Sequence, residues 1–129
     1  MKSLARHQRA YKLVTEWNPA DLRSAADLAP GYPIELRTSG TMQTLAFSLG
    51  KKNDKGHEVL VRAIANWVLS PESGAPLGSL ADKERDPSVL LQRLAKAEVP
   101  EYVAADGEAI AFADAIKTIV KAVAAARKA

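Results

Sequence analysis

Apolar residues recur along this chain at spacings of three and four, the period of a helix with one buried side, and nowhere alternate for long enough to make a strand. The first such stretch opens at Ser3, a predicted N-cap, and runs to about Trp17. Asn18-Pro19 ends it and starts a second helix, with Asn18 as cap and Pro19 in the first turn, that stops near Ala29. Two prolines and a glycine in Pro30-Gly31-Tyr32-Pro33 predict a turn, from which Pro33 opens a third helix reaching Leu49, with Gly50 as its stop. A polar loop over 50–56 leads to a fourth helix, His57 to Ser70, whose Leu60, Ile64, Trp67 and Val68 repeat at helical spacing. The segment 71–86 is rich in Pro, Ser, Gly and charge and is predicted to be the longest loop and a flexible one. Asp86-Pro87 repeats the cap-then-proline signal for a fifth helix ending before Pro100, and a sixth runs from about Glu101 nearly to the end, with Gly107 a tolerated weak point. The expected fold is all-α, a compact single-domain bundle of about six helices over residues 1–129, a length that buries one core without staples.

Three of these helices carry more than a core-facing stripe. On the first, Lys2, Arg6, Arg9 and Lys12 span roughly 120° of arc, while Leu4, Ala10, Tyr11 and Val14 are expected to face the other way. On the last, Lys117, Lys121 and Lys128 fall within roughly 40°, with Ala109, Phe112, Ile116, Ile119 and Val123 turned inward. The third has Ile34, Thr38, Met42, Leu45 and Leu49 on one side and Leu36, Gly40 and Phe47 on nearly the opposite one. A two-sided helix is central in its bundle or a docking surface; the central place is expected, with Gly40 admitting a neighbouring backbone.

Eighteen Lys and Arg against fifteen Asp and Glu leave a formal charge of only +3, so distribution matters more than the total. Cations gather at three places: before the first acid, Glu16; in the loop, at Lys51, Lys52 and Lys55; and after the last acid, Asp114, at Lys117, Lys121, Arg127 and Lys128. Such stripes suit a phosphate backbone, although a solvated helix face has the same pattern. Every apolar run is interrupted by charge well short of the roughly 18 residues a membrane span needs, so no membrane association is expected. Met1 to Arg9 has no apolar core behind its basic residues, so no secretory signal is expected. The absence of cysteine excludes disulfides and thiolate chemistry and fits a cytoplasmic protein.

Catalytic chemistry has little to stand on. His7 and His57 are the two histidines, and neither has a second ligand or triad partner at local spacing. Asp106, Glu108 and Asp114 share a helix, but Asp106 and Glu108 point about 160° apart and are not expected to share a metal. The glycines are scattered and form no phosphate-binding fingerprint. The expectation is a non-enzymatic chain without cofactor, metal or small-molecule ligand.

From Arg23 through Lys51 the run RSAADLAPGYPIELRTSGTMQTLAFSLGK resembles the segment that typifies the small subunit of type III-B CRISPR Cmr effector complexes. The matching positions are Arg23, Ser24, Pro33, Gly40, Gln43, Thr44, Leu45, Ala46, Phe47 and Lys51, followed by an apolar helix bearing Trp67. Tyr102, Glu108, Ala109, Ile116 and Lys117 echo the family's C-terminal pattern, whereas Ala115, Thr118 and Asp106 depart from it. The resemblance implies a helical bundle without nuclease activity, whose copies stack head to tail beside other Cmr subunits and line the groove that holds guide RNA and target RNA in antiviral defence. Joined to the basic stripes, it places the expected RNA contacts at Lys2, Arg6, Arg9, Lys12, Lys51, Lys52, Lys117 and Lys121. Competing readings are the equivalent small subunit of a type III-A complex and a helical adaptor that touches no nucleic acid. A helical DNA-binding regulator is disfavoured, because no helix pair offers an Arg-, Asn- and Gln-rich recognition helix after a short turn.

Overall fold

A computed structural model describes residues 1–51 and 53–128. Among them there is no strand, and the helices are α1 (Lys2–Thr15), α2 (Pro19–Leu28), α3 (Tyr32–Ser39), α4 (Thr41–Leu49), α5 (Lys55–Val68), α6 (Pro87–Lys96) and α7 (Val99–Lys128), with three short 3-10 turns between. The all-α bundle is as expected. Its predicted caps hold at two junctions: Asn18 Oδ1 accepts from Asp21 N at 2.8 Å, and Asp86 Oδ1 accepts from Ser88 N at 2.8 Å, each with proline following. The first helix begins a little earlier than predicted, with Met1 rather than Ser3 at its cap and no side-chain bond there.

The predicted third helix is two. Gly40 adopts φ 84°, ψ 159°, a conformation closed to most side chains, and turns the chain between α3 and α4. The bend lets α3 bury Leu36 and α4 bury Leu45, which lie on different sides of one continuous helix, but it leaves Ile34, Met42, Phe47 and Leu49 exposed, so this stretch does not take the central place expected of it. The new N-terminus lacks a side-chain cap of its own and takes two from α7: Asp106 Oδ1 accepts from Thr41 N (2.9 Å) and Thr41 Oγ1 (2.5 Å), and the Tyr102 hydroxyl accepts from Met42 N (3.1 Å).

α7 is the spine, thirty residues and so about 45 Å long, and it contacts α1, α2, α3, α4 and α5. One end of α1 meets Glu108 and the other meets Arg127, so the two helices run in the same direction. α2 lies against α5 so closely that a Cβ on Gly56 would stand 2.7 Å from the Ser24 carbonyl oxygen. The buried residues form one hydrophobic cluster around Trp67, Phe112, Leu60, Ile64, Leu90 and Ile116. The 71–86 segment is tied to this core by buried Leu77 and Ser73, by Arg93 donating to the Leu77 carbonyl, and by Leu80 N donating to Leu69 O at 3.0 Å.

Candidate nucleic-acid interface

The basic stripe of α1 divides in two. Arg6 donates to both carboxylate oxygens of Glu108, from Nε to Oε1 at 3.1 Å and from Nη2 to Oε2 at 2.8 Å, and Lys2 Nζ joins at 3.2 Å. Arg9 donates to Asn66 Oδ1 at 2.7 Å and Glu72 Oε1 at 2.8 Å, and its guanidinium lies 5.7 Å from the centre of the Trp67 ring. Lys12 is exposed and makes no ion pair among the described residues. The helix is therefore turned from its expected orientation: Ala10 and Val14 are buried as anticipated, but Leu4 and Tyr11 are exposed, and Arg6 and Arg9 lie half-buried against the bundle.

Glu108 is the centre of this arrangement. It sits on the apolar side of α7, between Ala105 and Phe112, and also accepts from Trp67 Nε1 at 2.9 Å, while the Trp67 and Phe112 rings stack 5.4 Å apart. Burial pushes its carboxyl up; hydrogen bonds from Arg6, Trp67 and Lys2, with the Arg6 charge, outweigh that and hold it below the ordinary carboxylate range. Sequence reasoning missed this hub. The signal was a lone acid among apolar residues of α7, a position that demands a partner. Glu108 and Asp106 point to different neighbours, Glu108 to α1 and α5 and Asp106 to α4, as their helical spacing predicts.

Lys117 and Lys121 follow Asp114 on one stripe of α7, exposed and without ion pairs among the described residues, while Asp114 itself accepts from Arg37 of α3 at 2.9 Å. Lys51 is exposed just past α4, with Nζ 4.9 Å from the centre of the Phe47 ring. Lys52 lies outside the described residues. The expected cations thus do not form one surface: Lys2, Arg6 and Arg9 hold carboxylates or the Asn66 amide, while Lys12, Lys51, Lys117 and Lys121 present their charge outward in separate places.

His57 is built into the joint of α3, α4 and α5. Its Nδ1 lies 2.8 Å from the Tyr32 hydroxyl and 3.1 Å from Ser48 Oγ, those two oxygens are 2.6 Å apart, and burial pushes the Tyr32 phenol up to about 12. His7 Nδ1 lies 2.8 Å from the Ser3 carbonyl oxygen of its own helix.

A family model described as a CRISPR-associated protein, Cas_Cmr5, matches residues 2–123. The chain belongs to that family. It is accordingly a small subunit of a type III-B CRISPR Cmr complex, with other Cmr subunits as its partners, and the type III-A alternative is set aside. No curated protein and no solved structure matches it. The positions that carried the resemblance have clear duties in this Cmr5-family bundle: Gly40 makes the bend, Thr44 and Leu45 fill the core beneath it, Tyr102 caps α4, and Trp67 and Glu108 form the buried hub. Gln43, Ala46 and Phe47 of the same run are exposed. No helix among the described residues is long and apolar enough to cross a membrane.

Proposed function

We propose that the chain is a non-catalytic subunit whose copies stack along the Cmr complex and touch the guide and target RNA backbone, in the service of antiviral defence. The observation that carries the RNA contact is the outward charge of Lys117 and Lys121 on a single stripe of the spine, without ion pairs among the described residues, joined elsewhere by Lys12 and Lys51. Each cation facing a phosphate releases a counterion, so a few contacts per copy give a weak grip indifferent to sequence, and copies held in register add their contributions. Stacking is supported by the two ends of α7. At one end Glu98, Val99 and Val103 are exposed, an acid beside two apolar side chains. At the other, α2 and α7 line a groove of about 570 Å³ with Leu22, Ala26 and Ala124 as apolar lining and a rim on which Arg23, Arg127 and Lys128 outnumber Asp27. A head-to-tail contact would bring these complementary surfaces together.

A non-catalytic role is supported by the fate of the polar groups: Ser48 and Tyr32 are buried around His57, and Glu108 is consumed by three donors. The decisive experiment measures target-RNA affinity of the assembled complex against salt, with Lys117 and Lys121 both changed to Glu. Weaker binding and a flatter salt slope with normal assembly are expected. An unchanged slope in a correctly assembled complex would remove this stripe from the RNA path, and the same result with Lys12 and Lys51 both changed to Glu would assign the subunit a spacing role alone.

A further inference from the structure

Phe47 is an aromatic side chain held out in water. It is 55% exposed on α4, and its ring centre lies 5.9 Å from that of His57 with the two planes at 78°. Because His57 is gripped by Tyr32 and Ser48, the ring leans on a buried polar joint that fixes its orientation. Lys51 Nζ stands 4.9 Å from the ring centre, and Gln43, one turn before Phe47, is exposed as well. Amide, ring and cation therefore follow one another at steps of four along the helix and its end.

We propose that Gln43, Phe47 and Lys51 form a base-stacking platform for single-stranded RNA. One base stacks on Phe47 in the position the Lys51 ammonium now covers, Lys51 moves to the adjacent phosphate, and the Gln43 amide reaches the base edge. This inference rests on the RNA-contacting role proposed above and adds to phosphate tracking a contact that needs a base. A pre-oriented aromatic face beside a cation and an amide is the chemistry with which proteins hold unpaired bases.

The chain has two phenylalanines, and Phe112 is fully buried against Trp67, so ring-proton NMR reports Phe47 alone at the surface. At low salt, oligoadenylate should move the Phe47 ring protons upfield, an abasic strand with the same number of phosphates should not, and Phe112 should stay still. Phe47→Leu should lower affinity for oligoadenylate roughly 5- to 150-fold without changing the salt slope, as expected for one lost stack. Lys51→Gln should instead flatten the slope by about 0.7, one phosphate contact on a single strand. If both strands perturb Lys117 and Lys121 equally and leave Phe47 unmoved, the platform is overturned and the RNA-contacting role stands. If neither strand perturbs any signal, the platform falls, and the RNA-contacting role is decided by the salt titration of the assembled complex. A Phe47 shift produced by another Cmr subunit and not by RNA would make the ring a protein contact and overturn the platform as well.

Discussion

Glu108 shows how one residue sets the terms for several others. Its carboxylate takes donors from α1 and α5, so two of the cations expected to face RNA, Lys2 and Arg6, are paired with an acid over a hundred residues away in sequence. Glu108→Gln removes the charge but keeps the shape, and should lower stability in urea by about 1–3 kcal/mol, discounted for the partial exposure of Lys2 and Arg6. The pH dependence has a definite sign. The carboxyl is held below its ordinary value of 4.5, so its contribution is present above that value and is lost as pH falls through the lower, folded-state one. An acid titration of stability should therefore have a steeper limb in the native chain than in Glu108→Gln.

At the level of elements, the helix starts written in short-range chemistry were legible: Asn18-Pro19 and Asp86-Pro87 both begin helices where cap and proline require. The bend at Gly40 was not. Gly40 reads as room for a neighbouring backbone; what stands beside it is the Tyr102 hydroxyl, and what makes it a break is the pair of α4 caps that Asp106 and Tyr102 bring from α7. Gly40→Ala would force a Cβ onto φ 84° and to 3.2 Å from the Tyr102 hydroxyl, and should destabilise by about 1–2 kcal/mol in the same urea assay. Gly56→Ala tests a different constraint, close approach rather than dihedral. Its Cβ would meet backbone of Ser24 and the Leu28 side chain inside 3.0 Å, and α2 must retreat from α5 at a cost of about 1–3 kcal/mol. The orientation of α1 was likewise illegible, because the charges that turn Arg6 and Arg9 inward sit on other elements.

For the molecule as a whole, the cations of equal formal charge separate into a group that holds the bundle and a group that faces outward. Reversing Arg6 with Arg9 to Glu should lower the melting temperature and helicity of the isolated chain, since Glu108 and Glu72 would then face acids. Reversing Lys117 with Lys121 should leave both unchanged. Circular dichroism on the two double variants separates the groups before any RNA is added. The proposed stacking has a test of its own kind: Glu98→Lys should reduce the number of copies counted by native mass spectrometry in an assembled complex, and Arg23→Glu with Lys128→Glu should restore it.

The borrowed cap at the start of α4 has a kinetic consequence. The amides of Thr41 and Met42 donate to side chains of α7, so their protection depends on α7 being docked. Any opening of the spine, however brief, exposes them to deuterium before the rest of α4 unwinds, and exchange at these two amides should track α7 rather than the helix they belong to.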